Sequence, residues 1–166
     1  MAYSRDSALN VHKDYKENVM NWEYYIRSYN GGYDYTLGQY LNRYNLELDN
    51  EFNQRLANTP CDNHCRNVIQ IYSSFLFRVK PSRDFGSMSE EQSLDTFLKD
   101  ADLDGNNFNN VIKQAQNYSS IYGHCFMILD KPNLTLGTRA EELQQEVRPY
   151  ISIVTPENVL DWNFKR

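Results

Sequence analysis

No run of apolar residues in this sequence approaches the roughly 20 that a bilayer-spanning helix needs, and the opening stretch MAYSRDSALNVHKDYKENV has no apolar block of the secretory type. Neither a membrane protein nor an exported one is expected. Cysteine is scarce. Three thiols, an odd number at these spacings, make a poor disulfide framework and point to reduced side chains in a cytosolic compartment. Positive charge is also short, with 17 Lys and Arg against 22 Asp and Glu, a net charge of -5 and a pI near 5.2. That balance is opposite to the basic footprint of a protein that grips DNA phosphates, and it disfavours tight, salt-driven nucleic-acid binding. No G-x-S-x-G elbow, G-x-x-x-x-G-K-[ST] or G-x-G-x-x-G occurs, so neither serine hydrolysis nor nucleotide use is supported. No internal repeat or low-complexity tract is visible, and the 19 Asn are scattered.

What the chain does have is aromatic bulk: 13 Tyr, 8 Phe and 2 Trp in 166 residues, enough for one core in about one domain. Val11, Tyr15, Val19, Trp22, Ile26 and Tyr29 recur at spacings of three and four and paint one stripe on a helix, capped by Asn10 and stopped by Asn30-Gly31-Gly32. Lys13, Lys16, Glu17, Asn18 and Asn21 fall on the other side. Such a stripe needs a cover, which makes Val11, Val19, Trp22, Ile26 and Tyr29 candidate subunit-interface residues. Tyr33 to Asn50 reads as a Tyr- and Asn-rich arm with one helical turn at most, near Leu37 to Tyr44. Asp49 begins a short helix through Phe52 and Leu56, and Thr59-Pro60 reads as cap and first residue of the next. In that helix Cys61, Cys65, Val68, Tyr72, Phe75 and Val79, widened by Ile69, Ile71 and Leu76, describe a core stripe ending before Pro81.

Residues 80–92 are polar and mark an internal loop boundary. Ser93 reads as the cap of a short helix over Leu94, Phe97 and Leu98, and Phe108, Val111, Ile112, Ala115 and Tyr118 make another helix that Gly123 closes. His124 to Asp130 reads as a strand buried on both faces, and Tyr150 to Val154 as a second strand. After a turn at Thr155 to Asn158, Leu160, Trp162 and Phe164 alternate as a third, still unfinished at Arg166. Ala140 to Gln145 has the pattern of an exposed helical piece. The fold class is α+β, amphipathic helices followed by a small, mainly antiparallel sheet that is incomplete at the C-terminus. The division is 1–46, an N-terminal helix and arm, and 47–166, an α+β domain.

Three constellations suggest chemistry. Cys61, His64 and Cys65, with His124 and Cys125 elsewhere, resemble half of a zinc site, but core cysteines account for the placement. Asp100-Ala101-Asp102-Leu103-Asp104-Gly105 copies the first half of an EF-hand loop, yet the closing Glu position is Val111, so a capping turn is the simpler reading. Asp130, Lys131 and Glu157 have the side chains of a Mg-dependent nuclease centre, but their spacing is arbitrary and surface turns account for them. No catalytic, cofactor-binding or metal-ligating residue is therefore expected. A metal-dependent DNA-processing enzyme and a small calcium-responsive binding module stay as alternatives from other classes. Tyr24, Tyr25, Tyr29, Tyr33, Tyr35, Tyr40 and Tyr44, clustered as they are, suit either a subunit interface or ordinary core filling.

The order of several blocks carries a resemblance. Arg55-Leu56-Ala57-Asn58-Thr59-Pro60 is followed by Asn63-His64-Cys65-Arg66-Asn67-Val68-Ile69 and Phe75-Leu76-Phe77, then by Phe97 to Gly105, Tyr122 to Asp130, Arg148-Pro149-Tyr150 and Thr155 to Trp162. From about Leu48 to Arg166 this resembles the amino-terminal, wing-containing part of the portal proteins of tailed bacteriophages. Cys61 departs from the aromatic residue usual there. The resemblance implies a portal wing-like fold and a structural, non-enzymatic protein without cofactors: a homo-oligomeric ring, usually a dodecamer, at one vertex of the phage head. Double-stranded DNA passes through it without sequence-specific contact during packaging and ejection. The implied partners are further copies of the chain, the major capsid protein, the terminase and the head-tail adaptor, in a virion made in the host cytoplasm. Stem helices and a clip are expected beyond Arg166.

Overall fold

The computed structural model describes residues 11–59, 62–132, 138 and 147–163. Among the described residues, six helices and a two-stranded antiparallel sheet give the α+β class expected from the sequence. The chain divides into two compact units, residues 1–72 with 156–166, and residues 73–155. Residues 80–92 lie within the second.

In the first unit, α1 spans Lys13–Asn30, and the expected helix is present. His12 is its N-cap, its Nδ1 accepting from the Asp14 amide at 3.2 Å; Asn10 lies outside the described residues. Gly31 ends the helix at φ 67°, where a Cβ would come within 2.9 Å of the Asn63 amide nitrogen, so glycine is needed twice over. A helix leaves its last carbonyls without partners, and here Asn63 Nδ2 and Arg66 Nε both donate to Tyr29 O while Arg66 also reaches Asn30 O at 3.0 Å. Helix α2, Gly32–Leu37, follows at once, one turn earlier than the sequence suggested.

Helix α3 spans Asp49–Asn58 with Leu48 as N-cap, and Glu51 accepts from the Leu48 amide at 3.2 Å. The arm before it is held by charge and not by helix. Glu47 receives two bonds from Arg55, at 2.8 and 2.7 Å, and Arg55 lies over the Tyr44 ring at 4.7 Å. The Arg55 bonds, aided by the Tyr44 amide, overcome a partial desolvation and hold the Glu47 carboxyl below its ordinary value. Since the folded state binds that proton less tightly than the unfolded chain, the contribution is full above about pH 4.5 and disappears as pH falls through the lowered value. Thermal melts between pH 3 and 6 are expected to show a loss of stability below about pH 4.5 that Glu47→Gln reduces; an identical acid profile in the variant would remove this role.

Thr59 does not start the next helix. It closes α3, its hydroxyl donating to Arg55 O at 2.6 Å, and α4 begins at His64, capped by Asn63 Oδ1 accepting from the Arg66 amide at 2.9 Å. Pro60 and Cys61 lie outside the described residues. Helix α4 runs His64–Leu76 and passes from the first unit to the second after Tyr72.

The alternating segment Leu160 to Trp162 is not a strand. A 3-10 turn at Pro156–Asn158 leads into it, Leu160 O accepts from the His12 amide at 2.8 Å, and the Trp162 ring stacks on His12 with centroids 4.1 Å apart. An alternating pattern becomes a strand only where another strand supplies hydrogen bonds, and here the backbone is engaged by the start of α1 instead. Phe164 lies outside the described residues, as do Ala140 to Gln145.

In the second unit, α5 spans Gln92–Lys99, with Glu91 and not Ser93 as N-cap. Helix α6, Phe108–Tyr122, is as read from the sequence, with Asn107 Oδ1 accepting from the Asn110 amide and Gly123 closing it at φ 87°. Strand β1, Phe126–Asp130, pairs antiparallel with β2, Tyr150–Val154, in the register Phe126 to Val154 and Asp130 to Tyr150. Ala101, Val111 and Ile151 form the core, with Phe97, Phe108 and Ile153 packed on it. The outer side of β2 is partly closed by Ile151 N–H donating to Ala101 O at 2.7 Å.

Candidate interaction surface

The clearest stripe in the sequence turns out to be uncovered. In α4, Arg66 and Ile69 are half-buried and Ser73 is buried, whereas Cys65, Val68, Ile71, Tyr72, Phe75 and Leu76 are exposed, Phe75 at 69% and Leu76 at 62%. The core helix expected from periodicity is therefore a surface helix, and Cys65 is an exposed thiol instead of a core one. Periodicity reports that one face is apolar, and it cannot say whether this chain supplies the cover. Val79, beyond the end of the helix, is exposed as well.

Strand β1 repeats this in the second unit. It was expected to be buried on both faces, yet Met127, Ile128 and Leu129 are all exposed, Leu129 at 67%. A strand is buried on both faces only between layers, and among the described residues β1 has β2 beside it and no further strand on its other edge. Exposed apolar side chains on a free edge are what a further strand or another polypeptide would cover.

The five candidate interface residues on α1 fall differently. Trp22 is 5% exposed, with Tyr15 against it edge to face at 5.8 Å, so little of it is open to a further subunit. Val11, Val19, Ile26 and Tyr29 are half-buried, and Tyr29 lies under the Arg66 guanidinium at 5.2 Å. Of the clustered tyrosines, Tyr24 and Tyr35 both pack on Tyr40, at 4.7 and 5.2 Å, while Tyr33 is fully open to solvent on one side at 76% exposure. Tyr24, Tyr25, Tyr33 and Tyr44 are exposed and Tyr29, Tyr35 and Tyr40 half-buried, so the cluster packs on itself only in part.

The aspartate loop is assembled as a turn. Asp102 accepts from the amides of Asp104 and Asn106 and from the Asn106 side chain, and although burial opposes ionisation these bonds keep its carboxyl below the ordinary value. Asp100 accepts from the Gly105 amide and from Arg148, which also donates to the Asp100 carbonyl. With these oxygens engaged, and Val111 buried where a closing Glu would stand, millimolar calcium is expected to leave the melting temperature unchanged. A saturable rise abolished by Asp102→Asn would overturn this. Cys125 Sγ lies 3.4 Å from Ser119 Oγ and from Ala115 O. Asp130 accepts from the Lys131 amide and from the Tyr150 hydroxyl, and it belongs to the second unit while Glu157 belongs to the first. Among the described residues no three His, Cys, Asp or Glu side chains come together in a way that could hold an ion, and no helix is long and apolar enough to cross a membrane.

Compared with known proteins, the chain matches no family model and no curated protein.

Proposed function

We propose that this chain is a structural, non-catalytic subunit whose uncovered apolar surfaces are closed by assembly, and specifically a portal subunit of the tailed-bacteriophage type that its block order resembles. The carrying observation is the solvent-facing stripe of α4, from Val68 to Leu76, in a chain whose described residues include few fully buried apolar side chains. Monomers that remain soluble seldom present so many large apolar groups on one element, whereas obligate oligomers bury them between copies. The net charge of -5 supports the same reading, since an acidic ring lets double-stranded DNA slide instead of gripping it. In this proposal the ring is a dodecamer at one head vertex, docked in turn by terminase and head-tail adaptor and seated in the major capsid protein.

Sedimentation velocity on the natural full-length protein, with electron microscopy of the same sample, tests it. Closed rings with a central channel wide enough for duplex DNA are expected. A protein that stays monomeric at tens of micromolar, or that closes into a particle without a channel, would refute the portal reading.

A further inference from the structure

Acidic overall, the chain nevertheless gathers cations in one place. A groove of about 980 Å³ in the second unit is lined by Arg78, Lys80, Arg83, Lys99 and Lys113, with Asp95 as the only carboxylate among the described residues. Lys99 is paired with Asp95 at 2.6 Å, and no acidic side chain pairs with Arg78, Lys80, Arg83 or Lys113 among the described residues. Arg83 is held in place by Asn109 Oδ1 and by the face of Phe108, 4.9 Å from its guanidinium carbon. The groove also contains the start of α6, from Asn107 to Asn110, the positive end of that helix's dipole, where the Asn110 amide is already engaged by Asn107. Three half-buried rings, Phe77, Phe85 and Phe108, complete the wall.

We infer that this groove binds a ligand bearing several phosphates, seated on Arg78, Lys80, Arg83 and Lys113. Four cations without a carboxylate partner among the described residues, spread around a volume of this size, suit a chain of phosphates better than a single one. Two sources share this chemistry: a single-stranded nucleic acid and a free oligophosphate. The inference does not depend on ring assembly, because every residue in it belongs to one unit of one chain.

The test uses the full chain, a fluorescein-labelled single-stranded 12-mer read by anisotropy, and inorganic tripolyphosphate as competitor and by calorimetry. With about four phosphate contacts, affinity for the 12-mer is expected to fall roughly 50-fold between 50 and 200 mM salt. In the variant Arg78→Gln, Lys80→Gln, Lys113→Gln, whose three side chains are exposed, that fall should shrink to about 3-fold. Circular dichroism checks that the variant is folded, and the single change Lys113→Gln, expected to lower the logarithmic salt slope by about 0.7, serves where it is not. A 12-mer that binds tighter than tripolyphosphate identifies a nucleic-acid strand as the source, and the reverse order identifies a free phosphate compound; either supports the site. Failure of both probes to bind overturns it, as does an equal loss in the control Lys13→Gln, Lys16→Gln, Lys131→Gln, which removes the same charge elsewhere.

Discussion

Replacing Phe75 and Leu76 together by Gln is expected to weaken self-association by about two to four powers of ten while leaving the melting temperature of the unassembled chain within a few degrees of the parent. The two side chains are 69% and 62% exposed, so the fold of the isolated chain gains little from them. Closed between subunits, each would contribute about 1.5 to 3 kcal/mol, and every ~1.4 kcal/mol is tenfold in an association constant. Gln keeps helix propensity close to that of Leu, which separates loss of apolar surface from loss of helix. Sedimentation across a concentration series reads the association, and differential scanning fluorimetry reads the fold. Assembly that proceeds unchanged would show that this end of α4 faces solvent in the functional particle as well.

Trp22→Ala is expected to act in the opposite manner, costing about 3 to 5 kcal/mol of stability in the first unit. At 5% exposure and with Tyr15 against it, the indole fills a space that no neighbour can close, and domains have only about 5 to 15 kcal/mol to lose. The same substitution at Tyr33, 76% exposed, should cost well under 1 kcal/mol. Urea unfolding followed by circular dichroism distinguishes them. A Trp22→Ala chain with an unchanged midpoint and impaired assembly would mean that the stripe on α1 acts between subunits and not within one.

Local chemistry was legible where the deciding interactions are near in sequence. Gly123 reads as the left-handed stop of α6 because it acts through a bond spanning a few residues, whereas the Asn107 cap emerged only from the structure. Tyr150 to Val154 reads as a strand from its run of aromatic and β-branched residues, although its partner β1 lies 20 to 28 residues away, and the aspartate loop reads as a turn because Asp and Asn bond to their own neighbours' amides. The start of α4 was misplaced at Thr59-Pro60, since Asn63 is chosen as its cap by a partner 34 residues away, the end of α1. The arm before α3 gave no periodic signal, for it is ordered by the Arg55 and Glu47 pair and by ring contacts instead of helix hydrogen bonds. A pair eight positions apart with opposite charges is common, and nothing in the sequence marks this one as bidentate.

Composition and periodicity alone mark an acidic, aromatic-rich α+β chain with apolar stripes on α1, α4 and α6. Which stripe is covered was decided only by tertiary structure. Burial depends on what lies opposite, so α6 buries Val111 and Ala115, α1 buries Trp22, and α4, with the most apolar stripe of the three, leaves it in water. Charge behaves the same way. A net of -5 is a sum over residues and carries no positions, whereas the loop after α4, the end of α5 and the start of α6 bring Arg78, Lys80, Arg83, Lys99 and Lys113 around one groove. Coulomb interactions fall off over about 8 to 10 Å in physiological salt, so a ligand in that groove meets the local cations and not the distant excess of carboxylates.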